Sequence, residues 1–143
     1  MANLEPLAIL KKGVGFWNKW REKYQGVKPD LEGADLTAAY LERANLEGAH
    51  LKGAHLELAY LRETHLEEAD LTEVCLERAI FYGAHLEGAD LSNAMVSQTF
   101  FLDIDLCNIK GIGTTFHGGP SEIRDLEYTD LPVIIIFILQ RKN

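Results

Sequence analysis

Between Pro29 and Asn108 the apolar positions return every fifth residue, without an insertion, through sixteen consecutive units. The centres run Leu31, Leu36, Leu41 and so on to Leu106; thirteen of the sixteen are Leu, and the others are Phe81, Val96 and Phe101. A small residue stands two places before each centre, and eleven of the fifteen such positions from Ala34 to Ile104 are Ala. The three remaining positions of each unit carry nearly all the charge. A period of five is neither the 3.6 of a helix nor the 2.0 of a strand. On a helix, successive centres would rotate by about 140° and share no face. The pattern therefore predicts a closed shape in which each unit is one side of a coil. The centre fills the interior, the small residue points inward near a corner, and the other three positions face water.

The A-(D/N)-L-X-X form of the unit is intact at Ala34-Asp35-Leu36, Ala44-Asn45-Leu46, Ala69-Asp70-Leu71 and Ala89-Asp90-Leu91. It resembles the pentapeptide-repeat family over 80 of the 143 residues. The resemblance implies an all-β solenoid, a right-handed quadrilateral β-helix with four units per coil, and so four coils. The flanks are similar to those of bacterial members. Ile9-Leu10-Lys11-Lys12-Gly13-Val14, with Trp17-Asn18-Lys19-Trp20-Arg21, implies an N-terminal helical cap. Thr114-Thr115-Phe116-His117-Gly118-Gly119-Pro120-Ser121 is similar to a segment that follows the repeats in relatives, and the chain departs from that pattern after Ile123.

The remaining hydrophobic pattern divides the chain into 1–28, 29–108 and 109–143. Leu7, Leu10, Val14, Trp17 and Tyr24 fall on one helical stripe, with Gly13 and Gly15 weakening its middle. Trp17 and Trp20 are read as closing the open end of the rod, as terminal repeats require. After Asn108 glycines mark loop, Ser121 to Tyr128 suits a short helix, and Val133 to Leu139 is strand-forming and uncharged. That run is far short of the roughly 20 residues of a membrane helix. Two cysteines supply no disulfide framework, and Met1-Ala2-Asn3-Leu4-Glu5 opens without a signal-peptide pattern. The expected setting is cytoplasmic.

Charge changes the picture next. Residues 1–28 carry +4, residues 29–108 carry −12, and residues 109–143 balance, within a total of −8. Such a rod repels bare nucleic acid. Four units per coil stack residues twenty apart, which sorts the outward positions onto four sides. On the third side the position before each centre reads Tyr40, Tyr60, Ile80, Phe100, and the position after reads Glu42, Arg62, Tyr82, Leu102. Tyr40, Tyr60, Ile80, Tyr82, Phe100 and Leu102 are therefore the candidate partner-binding residues, unless the apolar tail covers them. On the fourth side His65 and His85 stack above Asp105, an arrangement from which no metal is predicted because a flat face rarely closes into a tetrahedral site.

No catalytic residue and no cofactor follow from these motifs: there is no HExxH, CxxC or phosphate-binding glycine loop. The expected role is a non-catalytic interaction or scaffold module for a protein partner, with a homodimer through the apolar face or the C-terminal tail as one form of partner. The family resemblance implies an alternative, an acidic DNA mimic acting on a DNA-binding enzyme such as gyrase. A further alternative is the regulatory half of a system whose effector domain is encoded elsewhere. Direct nucleic-acid or membrane binding is not expected.

Overall fold

The computed structural model describes residues 5–105 and 108–115. The expectations for Ser121 to Tyr128 and Val133 to Leu139, including cover of the third side by the tail, lie outside the described residues.

The five N–H groups of one unit explain the fold. In the unit centred on Leu71, the amide of Asp70 donates back to Ala49 O at 3.0 Å. Leu71 N–H donates forward to Asp90 O at 2.9 Å, and Glu73 N–H to Ser92 O at 2.9 Å. Thr72 N–H donates to its neighbour's carboxylate, Asp70 Oδ1, at 3.0 Å. Val74 N–H closes a tight turn onto Leu71 O at 3.3 Å. Every amide of the unit thus has a partner, as buried or half-buried backbone requires. The Asp or Asn before the centre has a local purpose: its side chain takes the one amide that neither ladder nor turn uses, an Asx turn. Asp30, Asp35, Asn45 and Asp90 repeat that contact.

The forward and backward bonds pair residue with residue twenty places on, in parallel. Asp30 bridges His50, His50 bridges Asp70, Asp70 bridges Asp90 and Asp90 bridges Lys110; parallel columns run through 35, 40 and 45. The chain is a β-helix solenoid with twenty residues per coil, and the last bridge carries the ladder two residues past Asn108. The core is the stack of centres and small residues: Leu46, Leu51, Leu56, Leu61, Leu66, Leu76 and Leu86 are wholly buried, as are most of the alanines between them. Burying each leucine side chain contributes about 1.5–3 kcal/mol. Thr64 and Thr99 occupy small positions, and each satisfies its buried hydroxyl by donating to a leucine carbonyl of an adjoining coil, Leu41 O at 2.8 Å and Leu76 O at 2.7 Å.

The corner has a feature that the apolar pattern does not announce. The residue two after every described centre from Leu31 to Phe101 has φ between +52° and +73°. Such a φ suits the third residue of a type II turn and favours glycine. Ten of these corners nevertheless carry side chains, among them Arg43, Glu63, Arg78 and Gln98. A left-handed non-glycine residue costs roughly 1–2 kcal/mol, here offset by two ladder bonds and a buried leucine per unit. Where the centre is phenylalanine the tight turn opens. The chain stays extended through β1 (Ile80–Tyr82) and β2 (Phe100–Leu102), which pair in parallel with Phe81 opposite Phe101. Their rings stack at 4.6 Å, within 1° of parallel.

Before the ladder come α1 (Pro6–Lys11) and α2 (Val14–Lys23). The helical stripe from Leu7 to Tyr24, weakened at Gly13 and Gly15, breaks at Gly13, whose φ of +122° lies outside the helical region. The first coil has no preceding coil, so its outward edge carries unpaired backbone groups. Along the fourth side α2 supplies partners for four of them. Asn18 Nδ2 donates to Arg43 O at 3.0 Å while its Oδ1 accepts from Asn45 N–H at 2.9 Å. Trp17 Nε1 donates to Asn45 O at 2.7 Å and Arg21 Nη2 to Glu47 O at 2.8 Å. Trp17 is wholly buried and Arg21 nearly so. Burial lowers the Arg21 pKa from its ordinary value, with Glu47 opposing.

Three carboxyls sit below their ordinary range. The Thr37 amide holds Asp35 down, a hydrogen bond from Arg43 holds Glu63 down, and the Ser92 hydroxyl and amide hold Asp90 down. A group whose pKa is depressed by folding contributes stability above its unfolded pKa and loses it as pH falls through the folded value. Melting temperature should therefore be level near neutrality and fall as pH drops below about 4. Asp35→Asn together with Asp90→Asn should flatten that fall; an unchanged acid limb would contradict the assignment.

Candidate functional site

The six candidate residues lie on one side of the solenoid. Tyr40 bridges Tyr60 and Tyr60 bridges Ile80, while β1 and β2 set Ile80 beside Phe100 and Tyr82 beside Leu102. The ladder therefore brings all six together as two adjoining columns. All are side chains that the strand or turn directs outward, because the centres between them point inward. Tyr40 is 74% exposed, Tyr60 38%, Tyr82 and Phe100 44% and Leu102 41%; Ile80 is half-buried. Leu58 and Met95 are exposed as well, but belong to units of the neighbouring side.

Two kinds of surface meet along this side. At one end Tyr40 and Tyr60 stack at 4.9 Å and 5°, contributing to the ladder in the manner of cross-strand aromatic pairs. Farther along, Phe81 and Phe101 fill the interior directly beneath Ile80, Tyr82, Phe100 and Leu102, and the extended strands give a flatter outer face than a tight turn does. Charge borders this face. Arg62 lies over the Tyr82 ring at 5.4 Å and beside Glu63 at 3.4 Å, and Arg43 pairs with Glu63 at 2.6 Å. The face offers shape and apolar contact, and among the described residues no nucleophile and base are brought together upon it.

The fourth side holds the histidine column. Asn45 bridges His65 and His65 bridges His85, with the imidazoles stacked at 4.6 Å and 8°. The sequence reading grouped these histidines with Asp105. In the structure the ligand atoms that converge are those of His65, Glu67 and His85, and a second trio, His55, Glu57 and Cys75, converges on the second side, two units away. The glutamates were left out of that grouping because a count by columns of twenty does not pair a side chain with its lateral neighbour on the same side, across the buried centre. The signal was present as the repeated tripeptide His-Leu-Glu at 55–57, 65–67 and 85–87. Burial, and secondarily Glu57, pushes the Cys75 thiol up from its ordinary value. Among the described residues no helix is long and apolar enough to cross a membrane.

A twenty-residue parallel ladder, leucine and alanine inside, and a left-handed corner in each five-residue unit define a pentapeptide solenoid. The family model described as pentapeptide repeats (8 copies) matches at residues 30–67, 39–78 and 59–98. The chain belongs to the pentapeptide-repeat family, whose members are generally non-catalytic structural repeat proteins. It is similar to the pentapeptide repeat protein Rfr23 of the cyanobacterium Cyanothece 51142, with 29% identity over 65% of this chain and 67% of that one, at a TM-score of 0.54. A pentapeptide repeat protein of the Arabidopsis thaliana thylakoid lumen shares 26% identity over 62% of this chain and 57% of that one, at a TM-score of 0.40. QnrB1, a plasmid-mediated fluoroquinolone resistance protein, shares 16% over 76% and 66%, at a TM-score of 0.32. No curated protein matches the chain.

Proposed function

We propose that this chain is a non-catalytic interaction module that binds a protein partner through its third side. In this reading residues 29–108 are a right-handed β-helix of four coils, residues 1–28 are its helical cap and residues 109–143 its tail. One observation carries the proposal: Tyr40, Tyr60, Tyr82, Phe100 and Leu102 form a continuous line of exposed apolar side chains on a rigid ladder. A cluster of that kind on a small protein marks a contact surface. The repeat segment carries sixteen acidic and four basic side chains, so the partner is expected to present an apolar strip bordered by Lys and Arg, with charge steering the encounter.

The test is cross-linking in the source cell with the full chain, compared between wild type and a Tyr82→Glu/Phe100→Glu variant. Both positions face outward, so the variant should keep the wild-type circular dichroism spectrum. We expect the cross-linked partner to be lost from this variant and retained by Glu73→Ser, a change on a different side. Loss in both variants, or in neither, would remove the third side from the reading. Light scattering on the same proteins distinguishes a second copy of the chain from another protein.

A second reading, the DNA mimic, is favoured by charge density alone. Four coils at ~4.8 Å make a rod of ~19 Å, and that length of duplex carries about 11 charges, against a net −12 in residues 29–108. The apolar third side interrupts such a surface, which makes it the weaker reading. A gyrase supercoiling assay showing neither inhibition nor protection would dispose of it.

A further inference from the structure

Away from the aromatic side, the repeat twice gathers three metal-binding side chains around one point. His65, Glu67 and His85 each offer a ligand atom, all within 4.8 Å of one another, and His55, Glu57 and Cys75 do the same two units earlier. One local rule builds both. A histidine stands immediately before a centre and points outward. A glutamate two residues on, just after the centre, lies beside it on the same side. The third ligand is twenty residues along, one rung away, fixed there by the His65–His85 and His55–Cys75 bridges. In both trios the imidazole Nδ1 meets the glutamate Oε1, at 2.9 Å for His65 and 3.1 Å for His55. In both, the other carboxylate oxygen, Glu67 Oε2 or Glu57 Oε2, is shut away from water without a hydrogen-bond partner. An anionic oxygen in that state is costly, and a cation bound to the carboxylate relieves the cost.

We propose that His65, Glu67 and His85 bind one divalent transition-metal ion of the zinc and nickel class. Two imidazoles and a carboxylate are the donors that such ions take, and the open outer face leaves room for water in the remaining positions. The two rings already lie parallel at 4.6 Å. A small tilt brings their nitrogens to the ~3.3 Å spacing that two bonds of about 2.0–2.1 Å to one ion require. The carboxylate accepts in its contact with His65, so that ring carries its proton on Nδ1. On binding, the proton moves to Nε2 through solvent and the ion takes its place between Nδ1 and Oε1. The trio of His55, Glu57 and Cys75 is the poorer site: its thiol is held protonated by burial, and a metal must displace that proton.

The experiment titrates zinc chloride, and separately nickel chloride, into the full chain by calorimetry, in wild type and in a His55→Ala/Cys75→Ser background that removes the poorer trio. One ion per chain is expected in that background. Glu67→Gln should weaken it at least as much as the roughly 10–100-fold that loss of an outer-shell partner costs, and His65→Ala/His85→Ala should abolish it. Zinc should raise the melting temperature of the background protein and leave the His65→Ala/His85→Ala protein unmoved. These side chains point outward, so the variants should melt cooperatively without metal. Three results would overturn the proposal: no saturable binding in wild type, affinity unchanged by loss of His65 and His85, or one ion per two chains, which assigns the metal to a bridge between molecules.

Discussion

Replacing Phe81 with alanine is expected to cost about 4 kcal/mol of stability, the largest loss from any single interior truncation of the repeat. Phe81 is wholly buried and its ring lies on that of Phe101 at 4.6 Å. The cost has two parts. The lost side chain leaves a cavity that a rigid ladder cannot close, and the stacked pair contributes about 0.5–1.5 kcal/mol beyond its area. The effect also reaches the surface, because β1 is extended where leucine-centred units make a tight turn, and Ile80 and Tyr82 are displayed on that extended segment. Phe81→Leu, which restores the common centre, should cost about 1.5 kcal/mol or less. Urea unfolding of the two variants checks the argument. Equal losses would mean that the cavity contributes nothing and that ring stacking alone accounts for the cost.

The second large effect is expected at Trp17. Trp17→Ala should also cost about 4 kcal/mol, although it lies outside the repeat. The indole is wholly buried, stacks with Trp20 at 5.2 Å, and donates to Asn45 O at the open edge of the first coil. Its removal opens apolar surface and deprives an edge carbonyl of its donor together. Trp17→Phe separates the two: most of the packing remains, the hydrogen bond is lost, and about 1–2 kcal/mol should go with it. Fluorescence-detected denaturation of both variants gives the comparison. A Trp17→Ala protein as stable as wild type would show that α2 contributes nothing to the ladder it touches.

The inward half of the fold was legible in the sequence. A leucine every five residues with a small residue two before it specifies a coil, and stacking by twenty assigns Tyr40, Tyr60, Ile80, Tyr82, Phe100 and Leu102 to one side. Those assignments depend on period alone, and a ladder without insertions preserves period. What was not legible depends on local conformation or lateral proximity. The left-handed corner is hidden because arginine, glutamate and glutamine stand where glycine is favoured, the cost being met by neighbouring bonds. The opening of the turn at Phe81 and Phe101 follows from ring size against a narrow coil, which residue spacing does not express. Glu67 beside His65, and Asn18, Trp17 and Arg21 against the first coil, are contacts across a buried centre or between a helix and an edge. Neither leaves a periodic trace.

The partner assignment within each unit has a consequence for length. Every amide that leaves a unit finds its carbonyl in the coil before or after, so the columns form a frame of twenty, with four possible phases. Adding or removing one unit would keep each leucine inside and each turn intact, yet rotate everything downstream by a quarter turn. Phe100 would leave the line of Tyr40 and Tyr60, and His85 would part from His65. Adding a whole coil would lengthen the rod and leave every column in phase. Surface identity in this chain is thus inherited modulo twenty while its core is inherited modulo five, and changes of length that respect the larger number are those that can preserve what the sides display.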